Sequence, residues 1–155
     1  MNTDKPKDLN TMKQSTKQTV YLSGPMSGIA NMNKSAFKHA EKVLTDLGYE
    51  VVNPAEFPAP TPNPGETEEM VWASYLVGDL LAIKEHRPML ALLPGHENSR
   101  DSCLEAIFAR SIGLDVVLFG DLVMKDRKPY HFPWPTLTMK DDDLDEIANR
   151  NEVQK

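Results

Sequence analysis

Val20-Tyr21-Leu22-Ser23-Gly24-Pro25-Met26-Ser27-Gly28 is the stretch on which the fold turns. Its first three side chains, β-branched, aromatic and aliphatic, suit a buried, pleated strand. The remaining six residues form a dense turn. Gly24 and Gly28 admit backbone shapes that a Cβ forbids, and Pro25 fixes φ while removing a donor. An amphipathic helix pattern begins soon afterwards. A strand, a Gly-rich turn and a helix in that order can aim unpaired backbone N–H groups at an anion. The stretch is neither a G-x-G-x-x-G fingerprint nor a Walker A loop, since no Gly-Lys-Ser/Thr follows. Taken alone, it is equally an ordinary tight strand-to-helix turn.

Working outward, Ala36, Phe37, Ala40, Val43, Leu44 and Leu47 recur in steps of three and four, and Gly48 supplies a C-terminal cap. Residues 49–52 then read as a second strand, closed by Asn53-Pro54. A β-α-β unit of this length demands a right-handed crossover and a parallel sheet. Pro58, Pro60, Pro62 and Pro64 exclude helix and sheet interior from residues 55–65, leaving either a long functional loop or a passive linker. Thr67-Glu68-Glu69 opens a helix running to about residue 85, for which Val71, Tyr75, Leu76, Leu80 and Ile83 are the expected buried stripe. Residues 88–93 form an apolar run suited to a strand buried on both faces. A polar loop from His96 to Asp101 leads into a third helix ending near Ile112, and residues 115–119 are a further strand.

The alternation predicts an α/β three-layer sandwich with a parallel sheet of four to five strands, flavodoxin- or Rossmann-like. The possible fifth strand is an edge piece at residues 122–124. Residues 1–19 are polar and aperiodic and read as a disordered leader. The domain is expected over residues 20–138, followed by an acidic tail over 139–155. Tyr130, His131, Phe132, Trp134 and Pro135 make an aromatic, Pro-rich patch that either packs on the domain or reaches a neighbouring subunit.

At 155 residues the chain is long enough for one domain with its own core. The net charge of −6 and pI near 5.2 argue against duplex nucleic acid as the main partner. The single cysteine, Cys103, allows neither an internal disulfide nor a Cys/His zinc cluster and fits a reducing cytoplasm. No apolar h-region marks a secretory signal, and no apolar run approaches the ~20 residues of a membrane span.

In a parallel α/β sheet, ligands bind outside the carboxyl ends of the strands. That rule selects the loops at residues 23–28, 53–64 and 94–100. Ser99 and Ser102 stand near the start of the third helix, where hydroxyls and N–H groups can hold a phosphate. Glu105 lies one turn in, with Ala109 rather than a basic partner four residues on. A carboxylate so placed is costly unless it is used or paired. Tyr21, on the first strand, could donate to a carboxylate at the centre of the sheet.

The V-Y-L-S-G-P-M-S-G stretch, followed by P-G-H-E-N-S-R-D-S-C-L-E-A-I-F-A-R-S-I-G-L, resembles the nucleoside 2-deoxyribosyltransferase-like superfamily. The likeness is to a small phage and bacterial branch of it carrying a domain-of-unknown-function label (DUF4406-like). It spans residues 20–119. The shared motifs are a strand-borne Tyr with a G-P-M-[ST]-G turn, and a Ser followed six residues later by a Glu on a helix. The resemblance implies N-glycosidic bond cleavage or transfer on a (deoxy)nucleoside or nucleoside 5′-monophosphate, through a covalent glycosyl-Glu intermediate. Glu105 is then the nucleophile, Tyr21 the residue that orients it, and Asp79 the acid assisting the leaving base. Substrate would be held by Ser23, Gly24, Pro25, Met26, Ser27, Gly28, Asn53, Ser99 and Ser102. No metal or other cofactor is implied, and a homo-oligomer, dimer or larger, is. The chain departs from the family pattern at Pro88, His96, Asp101 and Ser102. Asp101 adds a negative charge where relatives hold a phosphate. The alternative is a catalytically weak nucleotide-binding or regulatory protein that uses the same cradle.

Overall fold

The computed structural model describes residues 17–131. Four strands, β1 (Thr19–Ser23), β2 (Glu50–Val52), β3 (Met89–Leu92) and β4 (Val116–Leu118), form one sheet in the order β2-β1-β3-β4. All three pairings are parallel, with Tyr21 beside both Val52 and Leu90. Helices α1 (Lys34–Asp46), α2 (Glu68–His86), α3 (Arg100–Ser111) and the short α4 (Phe119–Val123) complete the expected three-layer α/β sandwich. The expected edge piece at 122–124 is not a strand: Leu122 is buried inside α4, and the chain turns helical directly after β4. Thr19, read from sequence as leader, already belongs to β1. The remainder of the leader (1–16), Phe132, Trp134, Pro135 and the acidic tail lie outside the described residues.

The two-residue period of a strand makes two cores from one sheet. Val20, Leu22, Met89, Ala91 and Val117 face one side and pack with Phe37, Ala40 and Leu44 of α1 and Leu122 of α4. Tyr21, Leu90, Leu92 and Val116 face the other and meet Ile83 of α2 with Ala106 and Ala109 of α3. Handedness explains the division. The chain moves from β1 to β2 in one direction and from β2 to β3 to β4 in the other, so right-handed crossovers put α1 opposite α2 and α3. The reversal lies between β1 and β3, and the crevice at their carboxyl ends is where such sheets bind ligands.

Two loops interlock at that crevice. Leu93 N–H donates to the Ser23 carbonyl at 2.8 Å, and a Cβ on Gly24 would lie 2.8 Å from Leu93 Cβ. Gly24 therefore serves close approach, whereas Gly28 adopts a left-handed φ of +79°. Gly24→Ala is expected to cost about 1–3 kcal/mol by overpacking against Leu93. Urea unfolding measures this; an unchanged midpoint would show that Leu93 moves aside freely.

Helix α2 differs from expectation. Of its expected stripe only Ile83 is buried; Tyr75 is exposed and Val71, Leu76 and Leu80 are half-buried. Thr67 caps it, accepting from Met70 N–H at 3.3 Å. In α3 the face on the sheet is Ser102, Glu105, Ala106 and Ala109, while Leu104 is exposed. Small side chains let α3 lie close to the strands, so the larger apolar residues turn outward and one carboxylate is carried into the core.

Candidate active site

That carboxylate is Glu105, 3 % exposed. Tyr21 and Ser23 have the same strand parity and point at α3. The Tyr21 hydroxyl donates to Glu105 Oε2 in a short hydrogen bond, and Ser23 Oγ donates to Oε1 at 3.2 Å. Burial pushes the Glu105 carboxyl well above the usual carboxylate range; the charge of Asp79 adds to this, and the two hydroxyl donors oppose it. Tyr21 is likewise pushed up, first by burial and then by the charge of Glu105, so it remains a donor. Asp79, on α2, is raised to about 7 by burial and by the charge of Asp101. Glu105 and Asp79 are thus an interacting pair that retains protons unusually high in the pH range. The two hydroxyl donors favour the Glu105 anion, and its deeper burial beside the charge of Asp79 opposes it.

Beside this pair are two adjoining cavities. The larger, about 500 Å³, is walled by α2 (Val71, Trp72, Tyr75, Asp79), by the Pro-rich loop (Phe57, Pro58) and by Met26 and Met32 from the region after β1. That volume falls within the range of small-molecule sites. The smaller, about 220 Å³, is lined by Pro25, Met26, Ser27, Ser99, Arg100 and Asp101 among others. Trp72 and Asp101 line both. Glu105 lines neither and sits behind the wall to which Asp79 and Asp101 contribute.

The structure gathers part of the expected substrate set. Pro25, Met26, Ser27 and Ser99 share the smaller cavity, where Ser99 also caps α3 by accepting from Ser102 N–H at 3.3 Å. Gly24 is packed beneath Leu93, and Gly28 shapes the turn without lining either cavity. Asn53 is occupied elsewhere: its Oδ1 accepts from Ala55 N–H at 3.0 Å and its Nδ2 donates to Glu41 at 2.9 Å. Ser102 is buried, its Oγ without a hydrogen-bond partner among the described residues. The turn after β1 does not run straight into α1. Asn31, Met32 and Asn33 form an intervening left-handed turn, held by Asn33 Nδ2 donating to the Pro25 carbonyl at 2.9 Å.

Sequence reasoning passed over Trp72. It lies seven residues before Asp79, which puts the two on one stripe of α2, and that spacing was available. Its indole N–H donates to Asp101 in a short hydrogen bond, and the Arg100 guanidinium sits 3.6 Å from the ring centroid.

No curated protein and no solved structure matches the chain. Residues 18–118 match the model of a family described as a domain of unknown function, DUF4406. The match takes in all four strands, the three long helices and every residue of the site just described; the chain belongs to the DUF4406 family.

Proposed function

We propose that the protein cleaves or transfers the N-glycosidic bond of a (deoxy)nucleoside or nucleoside 5′-monophosphate. The observation that carries this reading is the buried Tyr21–Glu105–Ser23 network coupled to Asp79 at the edge of a 500 Å³ cavity. Ionised Glu105 attacks C1′. The C1′–N bond breaks, its electron pair goes to the base, and protonated Asp79 delivers a proton to the departing nitrogen. Water or a second base then attacks the glycosyl ester at C1′, Asp79 takes the proton of the incoming group, and Glu105 is released. Because Glu105 lines neither cavity, this reading requires the intervening wall to open when substrate enters. The test is incubation with the common nucleosides and their 5′-monophosphates, followed by chromatography for the freed base. Release from at least one is the expected result; none from any of them over hours overturns the reading.

Two observations favour the second reading, a binding or regulatory protein. Glu105 lines neither cavity, and Asp101 brings a further carboxylate to the wall. Saturable nucleotide binding by calorimetry without base release would support it. Either reading sits in a reducing cytoplasm, in keeping with the single cysteine. A second copy of the chain belongs to the proposal as well: Met70, Val77 and Leu81 of α2 are about half exposed, an apolar display unusual on a free helix. No helix among the described residues is long and apolar enough to cross a membrane.

A further inference from the structure

We propose that His96 and Tyr130 form a latch through which the chain after α4 fixes the loop between β3 and α3, and with it Ser99, Arg100 and Asp101 at the smaller cavity. Both are positioning residues. The latch goes beyond the proposed function and does not depend on which of the two readings holds.

The segment after α4 changes sides of the sheet. Leu122 of α4 packs in the core on the α1 side, whereas Tyr130 packs against the core shared with α2 and α3. In crossing, the chain covers the outer edge of β4, where Tyr130 N–H donates to the Val116 carbonyl at 2.9 Å. Arg110 Nη2, near the end of α3, donates to the Tyr130 carbonyl at 3.4 Å. Tyr130 is thus tied at both backbone groups, one to a strand and one to a helix. Its ring reaches His96, 34 residues earlier in the chain.

The two rings meet edge to face, with centroids 5.2 Å apart and planes at 89°. The Tyr130 hydroxyl lies 3.2 Å from His96 Nε2. On the other side of the imidazole, Nδ1 lies 3.0 Å from the Leu93 carbonyl and 3.2 Å from the Glu97 carboxylate. Both of those oxygens are acceptors. A neutral His96 ring therefore carries its proton on Nδ1, and Nε2 accepts from the Tyr130 hydroxyl. His96 is 8 % exposed, so water competes little for these bonds.

His96 passes this constraint on to α3. Its carbonyl accepts from Ser99 N–H at 3.0 Å, and the Ser99 carbonyl accepts from Cys103 N–H at 3.1 Å. Arg100 and Asp101 lie between those two residues, line the smaller cavity and hold Trp72. Pro94, Glu97 and Asn98 are exposed, so the buried His96 ring is the loop's inward anchor.

Three variants separate the parts. Tyr130→Phe removes the hydroxyl and keeps the ring and both backbone bonds. His96→Asn keeps a donor for Leu93 and removes Nε2, whereas His96→Gln places an acceptor near the position of Nε2. Amide hydrogen exchange at Ser99 and Cys103 is expected to quicken roughly 2- to 12-fold in Tyr130→Phe and His96→Asn, the worth of one hydrogen bond. His96→Gln is expected to stay near the parent, and amides of β1 and α1 are expected not to change in any variant. Trp72 reports whether Arg100 and Asp101 move. The chain has two tryptophans, Trp72 and Trp134, so a Trp134→Phe background leaves Trp72 as the sole tryptophan emitter. Its quenching by acrylamide is expected to increase in Tyr130→Phe and His96→Asn and to be restored in His96→Gln. Nitrogen NMR of the parent at pH 8 is expected to show His96 protonated on Nδ1.

Parent-like exchange and quenching in Tyr130→Phe and His96→Asn overturn the latch. Exchange that quickens at every amide, in step with a lowered melting temperature, also overturns it, because the contact then only stabilises the fold. A proton on Nε2 in the parent overturns it as well, since the Tyr130 hydroxyl would then have no acceptor on the ring. None of these measurements needs a substrate, so failure of the latch and failure of the glycosidase reading are seen separately.

Discussion

Glu105→Gln is expected to lower base release by about 10⁴-fold or more, the scale on which removal of a covalent nucleophile is felt, while the protein melts higher than the parent at pH 8. The two effects have one origin. Glutamine has nearly the shape of glutamate, and its carbonyl can still accept from the Tyr21 hydroxyl, but it cannot attack C1′. Nor can it carry a charge into the core. Burial and the charge of Asp79 hold the Glu105 carboxyl above its ordinary range. The native state therefore binds this proton more tightly than the unfolded chain does. Stability from this group is fully present below the ordinary carboxylate pKa and is lost as pH rises through the folded-state value. Glutamine has no such loss. The melting temperatures of parent and variant should lie close together at acidic pH and diverge, with the variant above, as pH rises. Melts at pH 4 and pH 8 with base release at pH 7 measure both. Full turnover in Glu105→Gln would end the nucleophile assignment. A variant that loses stability relative to the parent as pH rises would show that Tyr21 and Ser23 more than offset the burial of the anion.

The sheet and its helices were legible because their signals are local and periodic. The strand beginning at Val20, the stripe through Phe37, Ala40 and Leu44, and Gly48 after α1 each announce an element without help from the rest of the chain. What failed was the question of which face turns inward. Helix α2 carries apolar residues on several sides, so its stripe depends on what packs there, and at its N-terminal half that is a cavity rather than a core. In α3 the buried positions include Ala106 and Ala109 rather than the larger Leu104, because close packing against a sheet favours small side chains. The site was legible in part for the same reason. Tyr21 and Glu105 could be named through a motif, yet their contact spans 84 residues and depends on strand parity meeting helix phase. Asn53 looked like a loop-end ligand residue, and it completes its own turn instead. Trp72 carried no motif, and its bearing on the site emerges only when the loop holding Arg100 and Asp101 is folded against α2.

Asp79→Asn should change the form of the pH profile as well as its height. The group is raised to about 7, so in the parent the protonated fraction falls roughly tenfold per pH unit above that value. Base departure then has an alkaline limb near neutrality, and loss of the general acid costs about 10²–10⁴-fold at the optimum. Asparagine removes the limb along with the acid. It also removes the negative charge that, after burial, most raises Glu105. The nucleophile in the variant therefore ionises at lower pH, and whatever activity survives should reach further toward acid. The leaving group offers an independent check. A 7-methylpurine nucleoside carries a fixed positive charge and departs as a neutral base without taking up a proton. Asp79→Asn should slow such a substrate far less than it slows an unmodified purine nucleoside, whose departing nitrogen needs the proton. Equal slowing of both would place Asp79 outside the proton transfer. It would then act on the reaction only through its charge on Glu105, and the acid would have to be sought elsewhere along the cavity wall.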